Sequence, residues 1–304
     1  MCDFKIASVV VTYNRKELLK KNINSILEQT IPTDIIIIDN NSNDGTSELF
    51  ENEYSKEKDK IHYYKLKENI GGAGGFSKGV DIAYKLGYDL IWLMDDDGRP
   101  YDDLTLENLL KVVNTIKNNY KEFILNSLVL FDDNELSFGL LTSNDTKESI
   151  QNLAYKNIIQ DKINPFNGTL ISKELIEKIG LPNKDFFIKG DEIDYCNRAR
   201  RIGAYIATIT NSLYFHPKMP RKYKYIFGKK FLIRTEAPWK DYYRVRNYTY
   251  MIKRDYNFLH ALKFFIANLI NAFLSDNNKI LSLKMMTLGF KDGITGKLGN
   301  KIKP

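Results

Sequence analysis

Four apolar runs in the first hundred residues are separated by amphipathic stretches, a pattern of strands alternating with helices. Lys5-Ile-Ala-Ser-Val-Val-Val11 is β-branched and uncharged after its first residue, as suits a strand buried on both faces. Helical spacing follows, with Leu18, Leu19, Ile23, Ile26 and Leu27 on one stripe. Asp34-Ile-Ile-Ile-Ile-Asp39 predicts a second buried strand, ended by the turn-forming Asn40-Asn-Ser-Asn-Asp-Gly45. His62 to Leu66 and Asp89 to Met94 predict a third and a fourth. Such an order implies right-handed crossovers and an α/β fold with a mainly parallel sheet. Ligands of such sheets sit beyond the carboxyl ends of the strands. The segments there are Thr12-Tyr-Asn-Arg15, Asp39-Asn-Asn-Ser42, Asn69 to Phe76 and Asp95-Asp-Asp97.

Farther on the pattern weakens. Phe123 to Leu130 reads as a strand and 132–162 as a polar excursion. A short helix is expected from Ser172, its cap, to Ile179, stopped by Gly180; another over 191–202; and a last strand over 205–210. Near the end, Phe258, Leu259, Leu262, Phe265, Ile266, Leu269, Ile270, Phe273 and Leu274 form one helical stripe.

Composition adds exclusions. At 43% hydrophobic, with 18 Gly and 8 Pro in 304 residues, the chain is neither disordered nor fibrous. Cys2 and Cys196 cannot build a disulfide scaffold or a four-thiolate zinc site, which favours a reduced, cytoplasmic setting. Asp3 and Lys5 interrupt any signal-peptide pattern, and no apolar stretch reaches the roughly 18 residues of a membrane span. Charge divides the chain. Residues 1–216 carry 26 basic and 33 acidic side chains, net −7, and 217–304 carry 19 and 5, net +14. A catalytic domain over 1–216 and a basic, aromatic, mostly helical region over 217–304 are expected. The second would meet a membrane surface or another subunit.

Three groups could carry chemistry. Asp95-Asp96-Asp97 ends the fourth strand. Alternate residues of an extended chain point the same way, so Asp95 and Asp97 are expected to face one cation, Mg²⁺ or Mn²⁺ by their oxygen chemistry. His216 could add a third ligand. The glycine cluster headed by Asn69, Gly71 and Gly72 precedes a helix, where backbone amides approach phosphate or sugar oxygens; a plain structural turn is the alternative. Asp191, Glu192 and Asp194 open a helix, either as caps or, for Glu192, as a general base; Asp194 and Arg198 have the spacing of a structural pair.

Together these segments resemble the inverting family 2 glycosyltransferases of GT-A fold over about residues 5–250. The resemblance rests on Val10-Val-Thr-Tyr-Asn-Arg15, Ile38-Asp-Asn-Asn-Ser42, Asn69 to Phe76, Trp92-Leu-Met-Asp-Asp-Asp97, Phe166-Asn-Gly168, Gly190-Asp-Glu-Ile-Asp194 and Tyr242-Tyr-Arg-Val-Arg-Asn247. Within the family the chain looks most like bacterial galactofuranosyltransferases, with rhamnosyltransferases sharing much of the pattern. The resemblance implies that Thr12, Asn14, Arg15 and Asp39 line a uridine or phosphate pocket. It also places Asp96 beside the donor sugar, makes Asp95, Asp97 and His216 metal ligands, and makes Glu192 or its neighbour Asp191 the base. It implies UDP-galactofuranose as donor, with dTDP-rhamnose as the alternative, and a lipid-linked or cell-surface glycan as acceptor; the charge and stripe of 217–304 place the protein at the inner membrane face. A sugar nucleotidyltransferase would carry a Gly-rich, basic loop after the first strand, where this chain has Thr12-Tyr-Asn-Arg15. Nucleic-acid binding through the basic C-terminal region is the remaining rival, and the acidic body and Asp cluster argue against it.

Overall fold

The computed structural model describes residues 4–132, 135–138, 157–218, 222–226, 229–233, 236–274 and 278–302. The chain forms two compact units, 1–182 with 195–218, and 183–194 with 219–304. The division falls close to the change of charge, but 183–194 goes with the C-terminal unit.

The first unit is built on a sheet of ten strands among the described residues, in the order β3-β2-β1-β4-β9-β6-β10-β5, with β7 and β8 pairing at its side. The strands are β1 (Ile6–Thr12), β2 (Asp34–Asp39), β3 (Ile61–Lys65), β4 (Leu90–Asp95), β5 (Arg99–Pro100), β6 (Phe123–Asp132), β7 (Glu135–Leu136), β8 (Ile158–Gln160), β9 (Asn167–Ser172) and β10 (Tyr205–Phe215). Between them run α1 (Lys16–Leu27), α2 (Thr46–Asn52), α3 (Gly71–Lys85), α4 (Thr105–Ile116), α5 (Lys173–Ile179) and α6 (Asp191–Arg201), whose first turn counts with the second unit. The pairs β3–β2, β2–β1 and β1–β4 are parallel. Alternate residues of these strands enter opposite cores. Val10, Trp92 and Met94 join Leu19 and Leu109 on one side, while Val9, Ile91 and Leu93 join Phe76 and Val80 on the other. Ser172 caps α5 as expected, accepting from the Leu175 amide.

Three features depart from the sequence pattern. First, β9 lies antiparallel between β4 and β6. Its polar residues hide it, because their partners exist only in the assembled sheet: the Thr169 hydroxyl donates to Asn126, and Ser172 Oγ accepts from the Phe123 amide. Second, β10 continues to Phe215 instead of stopping at Thr210. A register shift against β6 absorbs Thr210, Asn211 and Ser212, and Ser212 Oγ donates to the Thr105 carbonyl. Ala207, Ile209 and Tyr214 consequently face the same core. Third, Tyr205–Phe215 is not the last strand: the C-terminal region also holds an antiparallel hairpin, β11 (Lys222–Ile226) with β12 (Lys229–Ile233). Most of the expected polar excursion lies outside the described residues.

The second unit centres on α7 (Pro238–Asp255), with α8 (Phe258–Leu274) and α9 (Lys279–Thr295). Fully buried Arg246 in α7 organises it. Its guanidinium donates to the carbonyls of Asp185, Phe186 and Gly299 and lies 4.8 Å from the Tyr243 ring centre. Asn247 Nδ2 reaches the carbonyls of Phe186, Ile188 and Lys189 at 2.8–3.0 Å. These bonds tie residues 185–189 to the C-terminal helices. Arg246→Met would leave the Gly299 carbonyl without this donor and remove one donor each from Asp185 and Phe186, and is expected to cost about 2 kcal/mol or more. A urea-unfolding series checks it, and an unchanged midpoint would contradict this account.

Candidate active site

At the carboxyl end of β4 the chain turns sharply at Asp96 and Asp97. The extended backbone ends at Asp95, so Asp95 and Asp97 are not alternate residues of one strand. Instead, Asp96 and Asp97 share Arg15, whose Nη1 stands 3.1 Å from Asp96 Oδ1 and 2.6 Å from Asp97 Oδ2. Asp96 is buried, accepting from the Thr12 hydroxyl at 2.8 Å and the Tyr13 amide at 3.3 Å. Burial pushes its carboxyl up to about 6 against the pull of Arg15 and Thr12. Asn22 of α1 fixes the turn from beneath, donating to the carbonyls of Asp95 and Gly98. Gly98 is required sterically: a Cβ there would lie 2.5 Å from the Tyr214 ring.

The extended β10 delivers His216 to this turn. Its Nε2 lies 3.3 Å from Asp97 Oδ1, and its Nδ1 lies 2.8 Å from the Pro217 carbonyl. A carbonyl only accepts, so Nδ1 carries a proton and Nε2 faces the carboxylate. Burial works to lower the imidazole pKa, but the Asp97 hydrogen bond and charge raise it overall. Burial likewise works to raise Asp97, and His216 and Arg15 hold it below the usual carboxylate range. For Asp95 the pull of His216 and Arg15 is outweighed. Burial, then repulsion from Asp97 and Asp96, pushes it up to about 8.

The donor chemistry fits a divalent ion. Asp97 offers a carboxylate, His216 an Nε2 oriented through its other nitrogen, and Asp95 a buried carboxylate whose repulsion by its neighbours outweighs the nearby cations. Among the described residues no three His, Cys, Asp or Glu side chains already converge as a complete ligand set. A Mg²⁺-type site needs only one or two protein carboxylates when substrate phosphates complete it.

The neighbouring strand ends are stitched to this turn. Asn14, in a left-handed conformation, donates its amide to Ser42 Oγ and accepts from the Asn43 amide. Buried Asp39 accepts from the Ser42 amide and the Tyr63 hydroxyl, so it shapes the loop that follows β2. Asn40 accepts from the Ile70 amide and donates to the Gly71 carbonyl, while Asn69 accepts from the Gly71 amide. The glycine cluster divides in purpose. A Cβ at Gly75 would stand 2.4 Å from Val11, so this residue lets α3 press on the sheet, whereas a Cβ at Gly72 would meet nothing within 4 Å. Packing does not explain Gly72.

In the second unit, Asp191 and Glu192 begin α6 directly after a loop with Phe187, Lys189 and Gly190 at positive φ. Glu192 Oε2 accepts from the Gly190 amide at 3.0 Å, while Asp191 is almost fully buried. Asp194 is paired with Arg254 at 2.6 Å, and Arg198 donates to the carbonyls of Ile179 and Leu181. The carbonyl-holding roles of Arg246 and Asn247, and the bracing by Asn22, Asn40 and Ser42, were not assigned from sequence. Tyr242-Tyr-Arg-Val-Arg-Asn247 was the signal for the first pair, since a helix seldom buries such cations without a task.

A mostly parallel α/β sheet with an acidic turn, a basic side chain and an imidazole beyond its carboxyl edge suits a nucleotide-sugar transferase. The chain belongs to glycosyl transferase family 2, whose model matches residues 8–180. It is 30% identical to the galactofuranosyltransferase GlfT1 of Mycolicibacterium smegmatis over 82% of this chain and 83% of the relative. It is 24% identical to the dTDP-rhamnosyl transferase RfbF of Shigella flexneri over 97% of each. Among solved structures, the mannosyltransferase PcManGT from Pyrobaculum calidifontis, in complex with GDP-Man and Mn²⁺, shares the fold. Its TM-score is 0.58 at 13% identity, over 97% of this chain and 88% of that one. The protein is thus a glycosyltransferase of GT-A fold.

Proposed function

We propose that the protein transfers galactofuranose from UDP-galactofuranose to a lipid-linked or growing cell-surface glycan, inverting the anomeric centre in a single displacement. The observation that carries the donor class is the 30% identity to a galactofuranosyltransferase across more than four fifths of both chains. The convergence of Asp97, His216 and Arg15 supports a phosphate-bearing donor. Thr12, Asn14, Arg15 and Asp39 frame the nucleotide side, Asn69, Gly71 and Gly72 offer the glycine-rich edge, and Asp96 stands by the sugar. Asp97 and His216, with Asp95 beside them, would hold Mn²⁺ or Mg²⁺, which when bound supplies charge neutralisation for the leaving diphosphate. Glu192 takes the proton of the acceptor hydroxyl as that oxygen bonds the anomeric carbon and the carbon–diphosphate bond breaks. Its Oε2 is held by Gly190, and its Oε1 is the accepting atom; Asp191 is the alternative base.

The relative that spans 97% of both chains favours a second reading, transfer of rhamnose from dTDP-rhamnose. Parallel assays of nucleotide release with the two donors and Mn²⁺ separate them. Turnover at least about tenfold faster with UDP-galactofuranose is expected, a margin of about 1.4 kcal/mol in transition-state binding. Preference for dTDP-rhamnose would replace the first reading with the second.

A further inference from the structure

Helix α8 is turned with an apolar side outward. Leu259, Ile266, Ile270 and Phe273 recur at spacings of seven, four and three residues and so share one side, and all four are about half to two-thirds exposed. The opposite side buries Ala261, Asn268 and Ala272. Asn268 sits there between the Arg244 guanidinium and the Phe264 carbonyl, and Phe265 stacks on Phe290 with ring centres 4.2 Å apart. The stripe seen in the sequence therefore splits: Phe265 and Leu269 pack inward, Leu262 and Leu274 are half-buried, and Phe258, Leu259, Ile266, Ile270 and Phe273 are exposed. Ile280, at the start of α9, extends the outward surface at 83% exposure.

Cations surround this surface. Lys263 and Lys284 are exposed, and Lys279 Nζ lies 5.5 Å from the ring centre of outward Phe273. From Tyr256 to Lys291 the sequence holds one acid, Asp276, against four lysines. No helix among the described residues is long and apolar enough to cross a membrane. We infer that α8 lies along an anionic bilayer surface, with Leu259, Ile266, Ile270 and Phe273 in the headgroup–acyl boundary and the lysines among the phosphates. A second copy of the chain is a poorer occupant. A two-fold contact through this side would bring its lysines towards their own equivalents, whereas lipid phosphates complement them.

Vesicle co-sedimentation of the full-length protein tests this without any donor sugar, so its outcome is separate from that of the transfer assay. Binding is expected to vesicles containing phosphatidylglycerol, much weaker binding to pure phosphatidylcholine, and loss at high salt. Lys263→Gln with Lys279→Gln should weaken anionic-vesicle binding about 25-fold, at roughly 1 kcal/mol per lysine. Ile266→Gln with Ile270→Gln should weaken it about a hundredfold, near tenfold for each side chain withdrawn from the lipid. Unchanged circular dichroism melts would show these surface variants folded. Equal supernatant recovery with both vesicle types at low salt would overturn the inference, as would binding indifferent to both double substitutions. A dimer in sedimentation equilibrium that the Ile266→Gln/Ile270→Gln variant dissociates, in a protein that ignores vesicles, would assign the surface to a second copy instead.

Discussion

Asp97→Ala is expected to abolish sugar transfer, by at least about a thousandfold, in a protein that remains folded. One oxygen of this carboxylate pairs with Arg15 and the other with His216, so its removal dissolves the centre of the proposed diphosphate site. The corresponding loss of transition-state stabilisation is about 4 kcal/mol, within the several kcal/mol that a metal site supplies. Stability should change little. The lost ion pairs are partly exposed, and the substitution removes a charge that repels Asp95 and Asp96. Rates measured with excess EDTA, then with Mn²⁺ restored, form the companion experiment. Wild type should fall silent and recover, and Asp97→Ala should stay silent throughout. A wild-type enzyme fully active in EDTA would remove the metal from the proposal.

Glu192→Gln should lower turnover by roughly 10²–10⁴-fold, the usual contribution of a general base, while donor binding persists. The amide oxygen of Gln can still accept from the Gly190 amide, so the strained loop before α6 keeps its anchor. Only the ability to take a proton disappears. Calorimetric titration with UDP separates the two effects, since binding should match wild type. If Asp191→Asn shows this pattern and Glu192→Gln does not, the base is one residue earlier.

Much of the architecture was legible because β1, β2 and β4 are buried on both faces. A run such as Ile35-Ile-Ile-Ile38 has few other homes, and each of the first four strands was located to within a residue. The strands that escaped are those whose polar residues find partners only after folding. Thr169 needs Asn126, and Ser212 needs the Thr105 carbonyl; neither requirement shows in a local pattern. The acidic triplet was legible as a site, but its internal division was not. Whether the backbone stays extended past Asp95 depends on a turn braced by Asn22 and seated on Tyr214. In α8 the periodicity was right and the direction was not derivable. A helical stripe records that one side is apolar, and only the buried Asn268 reveals that much of this side faces away from the protein.

The polar insert in β10 has a consequence for how this site can vary. Three residues are inserted against none in β6, an odd number, and odd insertions exchange the two faces of a strand. Odd-numbered side chains fill the core before the insert, and even-numbered Tyr214 fills it afterwards. Phase, not composition, therefore decides where the strand's final residues point. A one-residue slip of the strand's end against β6 would turn Tyr214 away from Gly98 and carry the imidazole of His216 off the Asp97 carboxylate. The register past the insert is as much a part of the site as the residues themselves.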